Sequence, residues 1–372
     1  MRTAIHDVRV FNGEQTESRA TVLIVDDRIA AYDGGPADID IDGAGRTLLP
    51  GLIDAHTHIF GDDLRTALAH GVTTELDMFC LPTNLAARRV LAAERDDVAD
   101  FRSAGTLATA PGGHPSQLLS APGMDTLGAE PFDMIRSADQ AADFVRARQA
   151  EGADYLKIVI DDGGVHGTEL PVLSADTVAA LVAAAHEAGL ITIAHALTAA
   201  EVRVAVEAGV DGLAHVWTET GSDSDALVEQ VAAQGIFVVS TLVYFEAITQ
   251  HAGAAADCVV PGTADGAAEV ARALHRAGVP LLAGTDATPF VPAHGVDLHR
   301  ELVLLTAAGL SNEQALASAT SLPAKHFGLT GRGRIAPGLR ADLLLVDGDP
   351  TADITATSAI ADVWRRGVRR TR

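Results

Sequence analysis

The sequence predicts an α/β protein: a (β/α)8 TIM barrel with a small β-sandwich domain built from both chain termini. Helical patterns repeatedly end in a glycine followed at once by a short apolar run, at Gly71 (VTTELDM), Gly152 (ADYLKIVI), Gly189 (LITIAHA), Gly209 (VDGLAHV), Gly235 (IFVVSTL) and Gly278 (VPLLAGT). With LIDAHTH at 52–58 and FRSAGTLAT at 101–109 these runs make eight strands alternating with helices. The two ends of the chain look different, with shorter alternating segments broken by Gly and Pro.

Each element follows from local pattern. Before residue 52, AIHDVRVF, TVLIVDDRIAAYD and IDGAGRTLLPG read as strands of a sheet, as do GRIAPGLRADLLLVDGD and AIADVWRRG after residue 327. Chain termini usually lie close together, so residues 1–52 and 328–372 are expected to pair into one β domain beside a catalytic barrel spanning 53–327. Glycine tolerates the left-handed conformation that closes a helix, and an uninterrupted apolar run just after it reads as a strand buried on both faces. Helix signals fill the gaps. Ser174 opens ADTVAALVAAAHEAG with Val178, Leu181, Val182 and Ala185 on one face, and Ser311 with Gln314 makes a capping-box pattern. Periodicity alone also fits an open doubly wound sheet, and the count of eight units favours the barrel. The stretch from Pro111 to Pro131 is expected to overhang the barrel mouth, and the terminal WRRGVRRTR reads as a solvated strand end and tail.

The chain carries 27 Lys+Arg against 50 Asp+Glu, a net charge of −23, with 48% hydrophobic residues. Such a chain can bury a large core and repels polyanions, so nucleic acids and anionic membranes are poor partners and a small-molecule substrate is expected. Cys80 and Cys258 are too few for a disulfide framework, and the N-terminus lacks a signal peptide's apolar run, which points to the cytoplasm. Neither G-x-G-x-x-G nor a Walker-type loop is present, which argues against dinucleotide and ATP chemistry. A homo-oligomer is expected on general grounds only.

His56 and His58 end the first buried strand at i and i+2, a spacing that lets both reach one metal ion. The pair is weak evidence, because with 14 histidines in 372 residues chance yields roughly one H-x-H in every two such chains. Position discriminates. Lys157 in YLKIVID, His195 in ITIAHA, His215 in GLAHVW and Asp286 in GTDAT also fall at the C-terminal ends of strands, and a barrel gathers all strand ends around one mouth. Taken singly, each histidine reads as a hydrogen-bonded core residue and Asp286 as a turn cap; six such accidents at equivalent places are a poor account. Lys157 is one of only two lysines in the chain and sits in an otherwise apolar strand. A buried ammonium is costly unless paired, with Asp161 or Asp162 as candidate partners, whereas the neutral amine can add CO2 to give a carbamate able to bridge two cations. His114 in PGGHPS, Tyr244 in TLVYFEA and His166 in DDGGVHG follow strands and are candidate substrate contacts; His166, with His294 and His299, also reads as structural or solvated.

LLPGLIDAHTH, the strand-4 lysine, the strand-5 and strand-6 histidines, GTDA and GRIAPGLRADLLLVD together resemble the amidohydrolase superfamily over nearly the whole chain. HGVDLHRELVLLTAAGLSNEQALASATSLPA is similar to its imidazolonepropionase-like and prolidase-like branch. The resemblance implies two divalent metal ions, zinc being the first candidate. His56, His58 and Asp286 would hold the more buried one and His195 and His215 the more exposed one, with N-carboxylated Lys157 and a hydroxide bridging them. Asp286 would shuttle the proton to the leaving nitrogen.

The expected activity is hydrolysis of an amide C–N bond in a small molecule such as an N-acyl amino acid, a dipeptide or a cyclic amide. The alternatives are lactone or ester hydrolysis and a mononuclear imidazolonepropionase-like or deaminase-like reaction, the last disfavoured by Lys157. Decarboxylation and a binding protein that has lost catalysis are the remaining readings.

Overall fold

The computed structural model describes residues 1–116, 132–251 and 262–371. Residues 117–131 of the long loop and Cys258 lie outside the described residues.

The N-terminal segment supplies β1 (Arg2–Phe11), β2 (Thr16–Val25), β3 (Arg28–Ala30), β4 (Ile39–Asp42) and β5 (Arg46–Pro50). After it come β6 (Leu52–Thr57), α1 (Asp63–Ala69), β7 (Val72–Asp77), α2 (Pro82–Glu94) and β8 (Asp100–Ser103). The chain continues through α3 (Ala141–Glu151), β9 (Leu156–Val159), α4 (Ala175–Glu187), β10 (Thr192–His195), α5 (Ala199–Ala208), β11 (Gly212–Ala214) and α6 (Ser222–Gln234). Next are β12 (Phe237–Val239), α7 (Leu242–His251), α8 (Thr263–Arg276) and β13 (Leu281–Leu282). Then α9 (Val296–Ala307), α10 (Asn312–Ser318) and α11 (Ser321–His326) lead to β14 (Leu343–Asp347), β15 (Ile360–Arg365) and β16 (Val368–Thr371).

The eight expected strands of the central region are all present, as a parallel three-stranded sheet β6-β7-β8 and a parallel five-stranded sheet β9 to β13. Parallel bridges join the two sheets at Ala108 and Ile158 and at Thr57 and Ala287. The arrangement is TIM-barrel-like. The six junction glycines all take positive φ, from 70° at Gly235 to 86° at Gly152, the conformation that ends a helix without a Cβ clash. Ser174 accepts a bond from Thr177 N, and both Thr198/Glu201 and Ser311/Gln314 form complete capping boxes.

Strand alternation divides the core in two. Tyr155, Ile193, Ala214, Phe237, Val239 and Leu282 join one cluster, while Leu156, Ile158, Ala194, Leu213 and Val238 face the helices in a larger one. Lys157 and His195 alternate in step with the first set, which places them with the residues turned away from the helices.

Both termini meet in one eight-stranded sheet, ordered β16-β15-β14-β5-β1-β2-β3, with β4 also paired to β1. The C-terminal segment differs from the solvated tail expected of it. It is the hairpin β15-β16, and Arg365 is buried against Asp100 of β8 and against Asp342. Arg366 and Arg369 pair with Asp96 and Asp362. Arg365 and Arg366 meet carboxylates at the seam between this sheet and the central strands, while Arg369 pairs across its own hairpin. Spacing in sequence cannot show that, because the acidic partners lie up to 270 positions away.

Candidate functional site

His56 lies within β6 and His58 just beyond it; Lys157 lies in β9, His195 ends β10, His215 follows β11 and Asp286 follows β13. The fold brings all six together. Asp286 Oδ1 is 3.1 Å from both His56 Nε2 and His58 Nε2. The His215 ring lies 4.6 Å from that of His56 and 4.6 Å from that of His195, and its Nε2 is 3.0 Å from His195 Nδ1. Lys157 Nζ is buried and makes no hydrogen bond, yet His56 and His215 both feel its charge and it feels that of Asp286. The pairing of Lys157 with Asp161 or Asp162 is thus not formed.

The three substrate-contact candidates ring this cluster. His114 stacks on His195 with centroids 5.1 Å apart, and the Tyr244 ring is 5.3 Å from His215. The Tyr244 hydroxyl lies 2.9 Å from His166 Nε2, which sets His166 beside the cluster as well. His294 and His299 lie elsewhere. His294 sits between Asp63 and Glu75, and His299 bonds Thr357 Oγ1 and His70 O.

The electrostatics follow from burial. Burial pushes the Lys157 ammonium down to about 7, only partly opposed by Asp286 and Asp77. Burial and then the Lys157 charge take His56 down to about 3. Burial pushes the Asp286 carboxyl up, but His56, His58 and His215 together outweigh it and hold it well below the carboxylate range. Burial likewise pushes His215 well down, and a neutral His56 and His215 beside an ionised Asp286 are the protonation states that metal ligation requires.

Several residues position the cluster without belonging to it. Asp54 Oδ1 accepts from His56 N at 3.2 Å and Thr285 N at 3.0 Å while its Oδ2 accepts from Thr285 Oγ1 at 2.7 Å, stapling β6 to the chain beside Asp286. His215 Nδ1 lies 2.7 Å from Thr241 Oγ1. Glu301 of α9 accepts from Val243 N at 2.7 Å and bonds Ser240, fixing the turn that presents Thr241 and Tyr244. His215, Thr241 and Asp286 adopt φ of 77°, 45° and 59°. Such conformations cost about 1–3 kcal/mol each, most clearly for β-branched Thr241, and they gather where a site over-determines them.

Sequence reasoning missed these supports. Asp54 lies two residues before His56 in the same motif, which was a usable signal, but its bonds to Thr285 cross 231 positions. Nothing local marks Thr241 or Glu301.

His56, His215 and Asp286 offer ligand atoms that all lie within 4.8 Å of one another, so the chain has a His/Asp group able to hold a metal ion. The orphaned Lys157 amine beside it fits the same purpose. Asp161, Asp162 and Glu201 also cluster, but Glu201 is spent on the backbone N–H groups of Asp162, Leu197 and Thr198.

The model of the Amidohydrolase family matches residues 47–370. The chain belongs to the amidohydrolase family. It is therefore a hydrolase acting on carbon–nitrogen bonds, as the motifs led us to expect. This amidohydrolase is 24% identical over 421 aligned residues to ochratoxinase of Aspergillus niger, covering 98% of this chain and 86% of the relative. Over 95 residues it is 36% identical to imidazolonepropionase of Cereibacter sphaeroides, covering 26% and 22% of the two chains. Among solved structures it superposes on a Xaa-Pro dipeptidase with bound methionine at a TM-score of 0.84 (23% identity, 100% of both chains). It also superposes on A. niger ochratoxinase at 0.81 (20% identity, 100% and 95%). No helix of the amidohydrolase, among the described residues, is long and apolar enough to cross a membrane.

Proposed function

We propose that this enzyme hydrolyses an amide C–N bond of a small molecule, such as an N-acyl amino acid, a dipeptide or a cyclic amide. The observation that carries the reading is Lys157: a buried amine with no hydrogen bond, set among His56, His215 and Asp286. Leaving such a donor unsatisfied costs about 1–3 kcal/mol, and here it stands among ligand-type side chains rather than among carboxylates. On this reading the amine would add CO2, forming an N–C bond and releasing one proton, and the resulting carbamate would serve as a ligand for two divalent ions, zinc first among candidates. His56, His58 and Asp286 would hold one and His195 and His215 the other. Bound there, such ions supply a water nucleophile at neutral pH and polarise the scissile carbonyl.

The chain's own groups do the rest. Asp286 takes the proton of the attacking water on its carboxylate and passes it to the leaving nitrogen, and its turn conformation keeps the carboxylate between His56 and His58. Asp54 and Thr285 hold that geometry through the cycle. His114, Tyr244 and His166 orient the substrate at the mouth. We take the eight parallel strands as a closed barrel over residues 53–327, and the terminal sheet (1–52 and 328–372) as a sandwich bent where β1 changes partner from β4 to β5. The acidic net charge favours a small-molecule substrate over a polyanion, and a cytoplasmic location and a homo-oligomeric state complete the proposal.

The test is metal content by elemental analysis after dialysis against metal-free buffer, followed by an amide and dipeptide panel. About two ions per chain with turnover of an amide supports the reading, and Lys157→Ala is then expected to lose metal and activity together, with partial rescue by short carboxylic acids. About one ion, with ammonia released from an amino-substituted heterocycle, would replace it with a mononuclear reaction.

A further inference from the structure

We propose that Asp161 is a positioning residue whose single oxygen Oδ2 braces the His195 and His114 rings, and so decides which nitrogen of each ring faces the site. The inference rests on the metal-centre reading for its consequence, but not for its geometry.

Asp161 stands four residues beyond Lys157, on the same face of the chain by strand alternation, and is 2% exposed. Its Oδ1 accepts from Gly163 N at 2.8 Å, which fixes the carboxylate plane. Its Oδ2 lies 3.5 Å from His195 Nε2 and 3.6 Å from His114 Nδ1. The two rings stack at 24°, so one oxygen serves both. Neither Asp161 Oδ2 nor His195 Nε2 makes a hydrogen bond in this structure, and both atoms are buried, so each is left to the other at ion-pair distance. An oxygen set between two rings is a small side-chain rotation from a full hydrogen bond to either.

A neutral imidazole carries one N–H, and a carboxylate can only accept. Facing Asp161, His195 therefore keeps its proton on Nε2, which leaves a lone pair on Nδ1, the atom 3.0 Å from His215 Nε2 and turned to the proposed centre. Without the carboxylate the ring is free to move its proton to Nδ1 and point it at the centre. The same logic puts the His114 proton on Nδ1, the atom that faces Asp161.

The sequence offered Asp161 only as a counter-ion for Lys157. The fold gives it to two imidazoles instead, and the Lys157 amine is left for other chemistry.

The test uses the full-length chain labelled with 15N-histidine, as purified and after chelation, with the His195 and His114 signals assigned by their absence in His195→Gln and His114→Gln. Long-range 1H–15N spectra report which ring nitrogen bears the proton. We expect His195 to be protonated at Nε2 and His114 at Nδ1 in the wild type, and Asp161→Ala to mix the tautomers of both. Asp161→Asn, which keeps an acceptor oxygen, is expected to restore the His195 pattern in part and serves as the folded reference. In chelator competition, Asp161→Ala should lose roughly 10–100-fold in affinity for the ion held by His195 and His215. Wild-type-like tautomers in a folded Asp161→Ala variant would overturn the brace while leaving the metal reading intact. A wild type that binds no metal but shows the expected tautomers would overturn the metal reading while leaving the brace.

Discussion

Where the terminal sheet meets the central strands, Asp100 lies against Arg332, Arg340 and Arg365, and Asp342 against Arg340 and Arg365. At the C-terminal ends of those strands, Lys157 lies as deeply buried with no hydrogen bond at all. The consequences for charge differ accordingly. At the seam, burial pushes the Asp100 carboxyl up but three guanidiniums overcome it and hold it well below the usual range. At the strand ends nothing overcomes burial, and Lys157 falls to about 7. Buried charge that is compensated by its neighbours belongs to architecture, whereas buried charge left uncompensated, beside strained backbone, marks the place kept for a ligand.

The contrast breaks most sharply at Asp286. Asp286→Asn keeps the volume and tolerates the left-handed backbone, so the fold should survive while turnover of the amide substrate falls by about 10²–10⁴; kinetics and a thermal melt on one preparation check this. An equal loss of stability would mean that the carboxylate is architecture. Asp100→Ala should do the reverse. Removing one partner from a buried ionic cluster costs about 3–5 kcal/mol, and urea denaturation should show that loss while kcat per folded molecule stays at the wild-type value.

The same distinction explains what could be read from the chain alone. The eight strands, the junction glycines and the six clustered residues were legible because a barrel converts a repeated local signal, a polar residue at a strand's end, into one place in space. His166 reads from sequence both as a substrate contact and as a structural histidine, because its partner, the Tyr244 hydroxyl, lies 78 positions away. The basic C-terminus was read as solvated because its acidic partners are likewise remote, and Asp161 was offered to the wrong partner because adjacency in sequence suggested Lys157. Local pattern shows which residues are unusual; only the fold shows what each one faces.

His294 provides a buried cation that is paired, and so an opposite to Lys157. Its Nε2 lies 3.2 Å from Asp63 Oδ2 and its Nδ1 3.9 Å from Glu75 Oε1, while burial pushes the neighbouring Asp54 carboxyl well up. Burial alone would lower it, but the carboxylates of Asp63 and Glu75 beside it raise it to about 10. A folded-state value above that of the unfolded chain means a contribution fully present below about pH 6.5 and lost as pH rises toward 10. Stability measured by urea denaturation should therefore decline between pH 7 and 10, and His294→Gln should flatten that decline.

The smallest expected effect tests the comparison most directly. Lys157→Met replaces an unsatisfied buried amine with an apolar chain of similar length, so in metal-free protein it should recover about 1–3 kcal/mol. Removing a compensated cation such as Arg340, which Asp342 and Asp100 hold above its ordinary value in spite of burial, should only cost stability. A gain at Lys157 together with loss of metal binding would show that the fold carries this lysine at its own expense, for the ligand it awaits. A loss of stability in the metal-free Lys157→Met chain would show instead that the amine is satisfied in solution and that the two regions bury charge by the same rule.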